Sequence, residues 1–130
     1  MLCQSWLQEK GINISTNNKE ATAEADVIIL AIKPFQIKEI LEEIASRLSE
    51  NQLLISVVTG ISLDEIKSIV GDDVAVVRAM PNTAIAIQES ITCLSSSKIN
   101  TGQLAYTEAL FEALGKTVVI DEKLMNAATV

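Results

Sequence analysis

The 130-residue sequence contains no histidine, which removes the side chain that most often serves as general acid, general base or metal ligand near neutral pH. Any chemistry must therefore borrow its reactive atoms, most simply from a bound cofactor. Cysteine is scarce as well. Cys3 and Cys93 stand far apart with no CxxC spacing, so neither a disulfide framework nor a zinc site is indicated, and both read as small buried apolar residues. Ten Lys and Arg against seventeen Asp and Glu leave a formal net charge of -7 with no basic cluster, which opposes attraction to phosphate backbones and argues against a nucleic-acid partner. No apolar run approaches the roughly 18–20 residues of a bilayer span, and the N-terminus lacks the pattern of a cleaved signal segment. The expectation is a soluble cytoplasmic protein that does not meet a membrane. Only five glycines and two prolines, no low-complexity linker and 48% hydrophobic residues predict a single domain over residues 1–130.

What is present is a rhythm of short apolar runs and helical segments. Ile12–Ser15 is a short strand candidate, and Asn17 or Asn18 can cap a helix over Lys19–Glu24. Val27–Ile32 is a continuous β-branched run, the pattern of a strand covered on both faces. Ile37, Ile40, Leu41, Ile44 and Leu48 then recur at helical spacing. Leu53–Val58 reads as a second buried strand. Ser62-Leu-Asp-Glu65 is a capping box that opens a helix to about Val70, and Val74–Ala79 is a third strand. Beyond Pro81 the rhythm loosens: Ser90–Leu94 is a further strand candidate, Thr101–Leu114 is helical, and Lys116–Ile120 returns to extended structure. Strands alternating with helices of this length imply parallel pairing through right-handed crossovers, hence an α/β fold with a doubly wound, mostly parallel sheet.

In such a sheet, ligands bind beyond the carboxyl ends of the strands. Those ends carry Thr16-Asn17-Asn18, Ala31-Ile32-Lys33-Pro34, Val57-Val58-Thr59-Gly60 and Arg78-Ala79-Met80-Pro81-Asn82-Thr83. Asn18, Lys33, Thr59 and Asn82 are therefore expected along one rim. Polar side chains, two prolines and a glycine gather at one edge of a sheet whose interior is Val, Ile and Leu, which is the arrangement of a cofactor cleft. Taken singly, Lys33 reads equally well as a solvated lysine at a strand exit and Gly60 as a turn residue.

In combination, "NKEATAEADVIILAIKP", "LLISVVTGISLDEI" and "VVRAMPNTA" resemble pyrroline-5-carboxylate reductase, the enzyme that makes proline in its last biosynthetic step. The resemblance runs from about Gly11 to Thr129, and its sharpest piece is Arg78–Thr83. It implies a Rossmann-type nucleotide-binding domain and an oxidoreductase that reduces the cyclic imine pyrroline-5-carboxylate with hydride from NADPH or NADH. By resemblance, Asn18 meets the adenosine ribose region and Ala31, Ile32, Lys33 and Pro34 wrap the middle of the cofactor. Val57, Val58 and Thr59 pass near the nicotinamide, and the loop Met80, Pro81, Asn82 and Thr83 borders the place where nicotinamide and imine meet. No side chain is assigned as a catalytic acid or base and none as a metal ligand; a protonated imine accepts hydride directly once the reacting carbons are held together.

The sequence departs from that family in four places. Ala84 stands where the family's MPNTP motif ends in proline, and Ser90 where a glycine is usual. No GxGxxG is present, although the family opens with such a strand, turn and helix to hold the pyrophosphate. The family's entry into its substrate-binding helices would begin where Val130 ends. The expectation is an incomplete Rossmann-type domain, inactive by itself, in which Val27–Ile32 lacks its family neighbour and pairs instead with Ile12–Ser15 or with a second copy in a homodimer. The alternative is a non-catalytic binding or self-assembly module.

Overall fold

The order in which the strands pair is the order in which the chain makes them. The protein's computed structural model describes residues 2–82 and 90–125, and among these one sheet runs β1 (Val27–Leu30), β2 (Leu53–Ser56), β3 (Ala75–Met80), β4 (Ser90–Ser97), β5 (Gly115–Val119). The first three strands are parallel, with Val27 beside Leu53 and Leu53 beside Ala75. β4 reverses, placing Arg78 opposite Ser95, and β5 runs parallel to β4. The reversal was not foreseen in the sequence; residues 83–89 between β3 and β4, Thr83 and Ala84 among them, lie outside the described residues, as do residues 126–130.

Helices α1 (Leu2–Glu9) and α2 (Asn18–Glu24) precede β1, α3 (Ile37–Ile44) joins β1 to β2, α4 (Leu63–Val70) joins β2 to β3, and α5 (Thr101–Glu112) joins β4 to β5. A right-handed crossover between parallel strands fixes which face its helix covers, so two crossovers that step the same way put α3 and α4 on one face. Because β4 and β5 point the other way while stepping in the same direction, the same handedness sends α5 to the opposite face. The side chains agree. Leu41, Ile44 and Ile66 pack with Leu30, Leu54 and Val76 on one side; Phe111 packs with Ile55, Val77, Ala79 and Leu94 on the other. Helices on both faces of a mostly parallel sheet make the doubly wound arrangement expected from the sequence.

Local chemistry sets the helix ends. Asn17 accepts from the Glu20 N–H at 3.2 Å. The Ser62 hydroxyl accepts from the Glu65 N–H at 3.2 Å while the Glu65 carboxylate accepts the Ser62 N–H at 2.8 Å, completing the capping box. α3 is shorter than its apolar periodicity predicts: a tight turn over Pro34–Gln36 leads into it and another over Ala45–Arg47 ends it.

Two expectations fail at the N-terminal side. Ile12–Ser15 is not a strand, and three of its four residues are exposed. Consequently β1 is an edge strand paired only with β2, and among the described residues no strand occupies its other side. Nor is it covered on both faces: Ile29 is 50% exposed. β2 and β3, by contrast, are buried at every position. Cys93 is half-buried and free, not fully interior.

Candidate functional site

Parallel pairing of β1, β2 and β3 brings their carboxyl ends to one rim. Ala31–Pro34, Val57–Gly60 and Pro81–Asn82 emerge there side by side, so Lys33, Thr59 and Asn82 share the edge predicted for them. At the first exit Ala31, Lys33 and Pro34 are exposed and Ile32 is half-buried. Pro34 occupies the first position of its turn, where no N–H is needed, and the Gln36 side chain accepts the Lys33 N–H at 3.3 Å. At the second exit the Val57 N–H still pairs with Leu30 O at 3.1 Å, Val58 is buried at 2% exposure, and Thr59 is exposed. Gly60 turns with φ +79, and a Cβ built there meets nothing within 4 Å, so glycine is required for its backbone and not for space. At the third exit Met80 is buried against β4, Pro81 is half-buried and Asn82 is exposed. The structure thus presents the exposed Ala31, Lys33, Pro34, Thr59 and Asn82 along one edge, with the apolar sheet behind it.

Asn18 is brought to a different place. It lies on α2, where its Nδ2 donates to Glu43 Oε2 at 3.2 Å, and it borders a cavity of about 390 Å³ between α2 and the unpaired edge of β1. Ile28 and Ile32 from β1 and its exit, Ile40 and Ile44 from α3, and Ala21 and Thr22 from α2 line it. α2 is fixed over this gap by Gln52, a buried side chain whose Nε2 donates to Thr22 O at 2.7 Å and Ala25 O at 2.6 Å. Those carbonyls belong to the C-terminal end of the helix, where acceptors are in excess of backbone donors; Thr22 O also accepts the Ala25 N–H at 3.3 Å. Of the residues expected at the site, Asn18 and Ile32 face this cavity; Lys33, Pro34, Val57, Val58, Thr59, Met80, Pro81 and Asn82 do not line it.

Sequence reading missed the strongest electrostatic feature. Arg78, at the centre of β3, is 2% exposed and its Nη1 donates to Glu122 Oε1 at 3.0 Å. Glu122 stands in the turn Glu122–Leu124 that follows β5. The same carboxylate accepts the Leu63 N–H at 3.0 Å, at the start of α4, and the Ser95 hydroxyl on β4. Met125, completely buried, anchors the turn. Burying a guanidinium without a partner is costly, and the carboxylate with its two further donors is what makes the position tolerable. Two other nitrogens of Arg78, Nε and Nη2, have no hydrogen-bond partner among the described residues. A signal existed: an arginine inside an apolar run must be answered by an acid, but sequence cannot say which.

The backbone N–H of Ser62, then its hydroxyl, hold the Glu65 carboxyl below its usual range, assisted by the charge of Arg78 and opposed by slight burial. Among the described residues no group of three or more acidic, cysteine or histidine side chains could hold a metal ion, and no helix is long and apolar enough to cross a membrane. What the rim can do chemically is bind and orient.

A family model described as NADP oxidoreductase coenzyme F420-dependent matches residues 2–60. Among curated proteins the chain is similar to pyrroline-5-carboxylate reductase of Arabidopsis thaliana, 36% identical over 123 residues that span 92% of this chain and 43% of that protein. It is similar also to pyrroline-5-carboxylate reductase 1 of Dictyostelium discoideum, 33% identical over 95% of this chain and 24% of the relative. Among solved structures, Plasmodium falciparum pyrroline carboxylate reductase with NADP bound superposes with a TM-score of 0.86 at 30% identity, covering 91% of this chain and 45% of that one. Prephenate dehydrogenase from A. aeolicus superposes at 0.76 with 14% identity, which speaks to the fold alone. The fold is Rossmann-type, and the resemblance drawn from the strand-end motifs is borne out by these relatives. The chain spans under half the length of the curated relatives it matches.

Proposed function

We propose that residues 1–130 form a single, partial NAD(P)-binding domain of a pyrroline-5-carboxylate reductase, the oxidoreductase that reduces 1-pyrroline-5-carboxylate to proline. One observation carries this reading: the stretches whose sequence resembles this family include Ala31–Pro34, Val57–Gly60 and Arg78–Asn82, and the parallel sheet sets the three strand exits they contain on one rim. The cofactor is NADP or NAD, and what it supplies when bound is hydride for the imine carbon. The residues present fit part of it. Ala31–Pro34 and Val57–Thr59 offer a partly exposed edge, through Ala31, Lys33, Pro34 and Thr59, for the middle and nicotinamide portions, with Asn18 toward the adenosine ribose. Met80–Asn82, with Thr83 after them, border the substrate. The pyrophosphate has no glycine-rich backbone cradle among these residues, so the chain alone is expected to bind weakly and to turn over no imine. The setting is cytoplasmic, without nucleic-acid or membrane partners.

Titration with NADPH, followed through nicotinamide emission and backbone amide resonances, tests the reading. Saturable shifts at Lys33, Thr59 and Asn82 are expected. An absence of shifts at that rim at millimolar cofactor overturns it, and reduction of the imine by the purified chain overturns the expected inactivity.

A second reading, self-assembly, is favoured by the unpaired edge of β1 beside its half-exposed Ile29. An exposed apolar edge strand is a template for another copy, and a homodimer pairing β1 with β1 across a two-fold axis would satisfy it. Sedimentation of the wild type against Ile29→Lys decides: a concentration-dependent dimer lost in the variant supports the reading, and a monomer at every concentration ends it.

A further inference from the structure

Glu122 lies far along the chain from the rim, yet its carboxylate joins the two elements that carry the rim's inner half. Leu63, whose N–H it accepts at 3.0 Å, follows Gly60 by three residues. Arg78, whose Nη1 it accepts at 3.0 Å, precedes Met80 by two. Ser95, the third donor, sits opposite Arg78 on β4. The turn that presents the carboxylate is itself fixed. Asp121 caps it, accepting the Lys123 N–H at 2.9 Å, and Met125 is buried beyond it. No hydrogen bond of Glu122 reaches the β1 exit, whose backbone is closed on itself through Lys33 and Gln36.

From this geometry we infer that Glu122 is a positioning residue for the nicotinamide end of the cleft: it sets the separation of the Thr59–Ile61 and Met80–Asn82 loops and leaves the Ala31–Pro34 exit untouched. The inference rests on the proposed cofactor reading for its ligand, but the tether itself can be tested without ligand. A carboxylate fixed by three donors from three elements resists displacement in any direction, whereas a neutral amide in its place keeps the shape and loses the charge that makes those hydrogen bonds strong. The loops on either side then gain freedom relative to each other.

The experiment uses the full chain as wild type, Glu122→Gln and Ser95→Ala, the last removing one donor while keeping the ion pair in case the charge-neutral variant folds poorly. In the ligand-free proteins, amide resonances of Gly60, Ile61, Met80 and Asn82 are expected to shift or broaden in both variants while Lys33 and Phe35 stay in place. Changes confined to Leu63 and Ser95 overturn the inference. With ligand, the dissociation constant for reduced nicotinamide mononucleotide is expected to rise about tenfold in Glu122→Gln, the loss of a charge-assisted contact, with that for ADP-ribose unchanged. Equal weakening of both indicates only a general loss of stability and overturns it. Should the wild type bind neither ligand, the cofactor reading falls while the resonance comparison still decides the tether.

Discussion

β1 and β3 look alike as sequence and live in opposite surroundings. Val27–Leu30 is wholly apolar, yet it has one neighbouring strand and leaves Ile29 half in solvent. Ala75–Met80 carries an arginine, yet it has two neighbours and all six residues are buried. The run with no charge is the exposed one, and the run with a charge is the most enclosed. Burial of a strand is decided by how many neighbours it has and what lies over its faces; apolar composition states only what the strand would tolerate. β1 has the composition of an interior strand in an edge position.

The sharpest way to probe that contrast is to remove the acid that makes β3's enclosure possible. Glu122→Ala leaves Arg78 buried without a counter-charge and is expected to destabilise the fold by about 3–5 kcal/mol, the cost of breaking a buried pair from one side, read from urea denaturation. A loss below about 1 kcal/mol would mean that Arg78 finds another partner. Among the described residues no ion pair involves β1.

The next comparison keeps side chain and face constant. Ile29, Ile55 and Val77 lie side by side in register on the α5 face, with Ile55 fully buried and Ile29 half exposed. Ile55→Ala is expected to cost about 2–5 kcal/mol and Ile29→Ala about 1 kcal/mol, since the exposed residue leaves little cavity behind. Equal losses would show that β1's face is covered in solution, and would break the contrast.

Two helix caps provide a third pair. Asn17 caps α2 beside β1 and Ser62 caps α4 over β2 and β3. Each alanine replacement removes about 1 kcal/mol of cap. The Ser62→Ala loss should appear in global unfolding, and the Asn17→Ala loss as faster hydrogen exchange limited to α2, because that helix closes an open cavity and can detach locally. Global destabilisation of the same size by both would make the two halves one cooperative unit.

The smallest effect is one of pH. The Glu65 carboxyl titrates below its ordinary value in the fold, chiefly through the Ser62 N–H. Its contribution is thus fully present above the unfolded pKa and is lost as pH falls through the lowered folded one. Glu65→Gln should therefore lower stability slightly at neutral pH, leave it unchanged in acid and so flatten a small part of the acid limb; an unchanged acid limb would show that the capping box is not charged-state dependent.

Much of this was legible in advance because local rules and global fold agree. The capping box at Ser62–Glu65, the helices after Pro34 and Asn100, and the parallel trio of strands follow from periodicity and end signals that need no distant partner. The shared rim of Lys33, Thr59 and Asn82 followed from parallelism alone. What escaped was non-local. Ile12–Ser15 has the composition of a strand but, in this fold, no edge to join, and β4 reverses through a connection whose chemistry does not announce direction. Glu122 is separated from Arg78 by 44 positions, and no spacing rule links a turn after one strand to the middle of another. Asn18 was expected on the shared rim and stands in the first turn of α2 beside a cavity; that helix is held by Gln52, a residue with no pattern around it.

A sheet whose spatial order equals its chain order has a consequence for how the protein comes off the ribosome. Each new strand finds its partner already made and waiting at the growing margin, so the sheet can extend from β1 to β5 in the direction of synthesis, with short crossovers and little searching. The growing margin is transient and is closed by the next strand. The other margin takes no part in this growth: among the described residues β1 pairs with β2 alone, so each added strand leaves the outer side of Val27–Leu30 as it was.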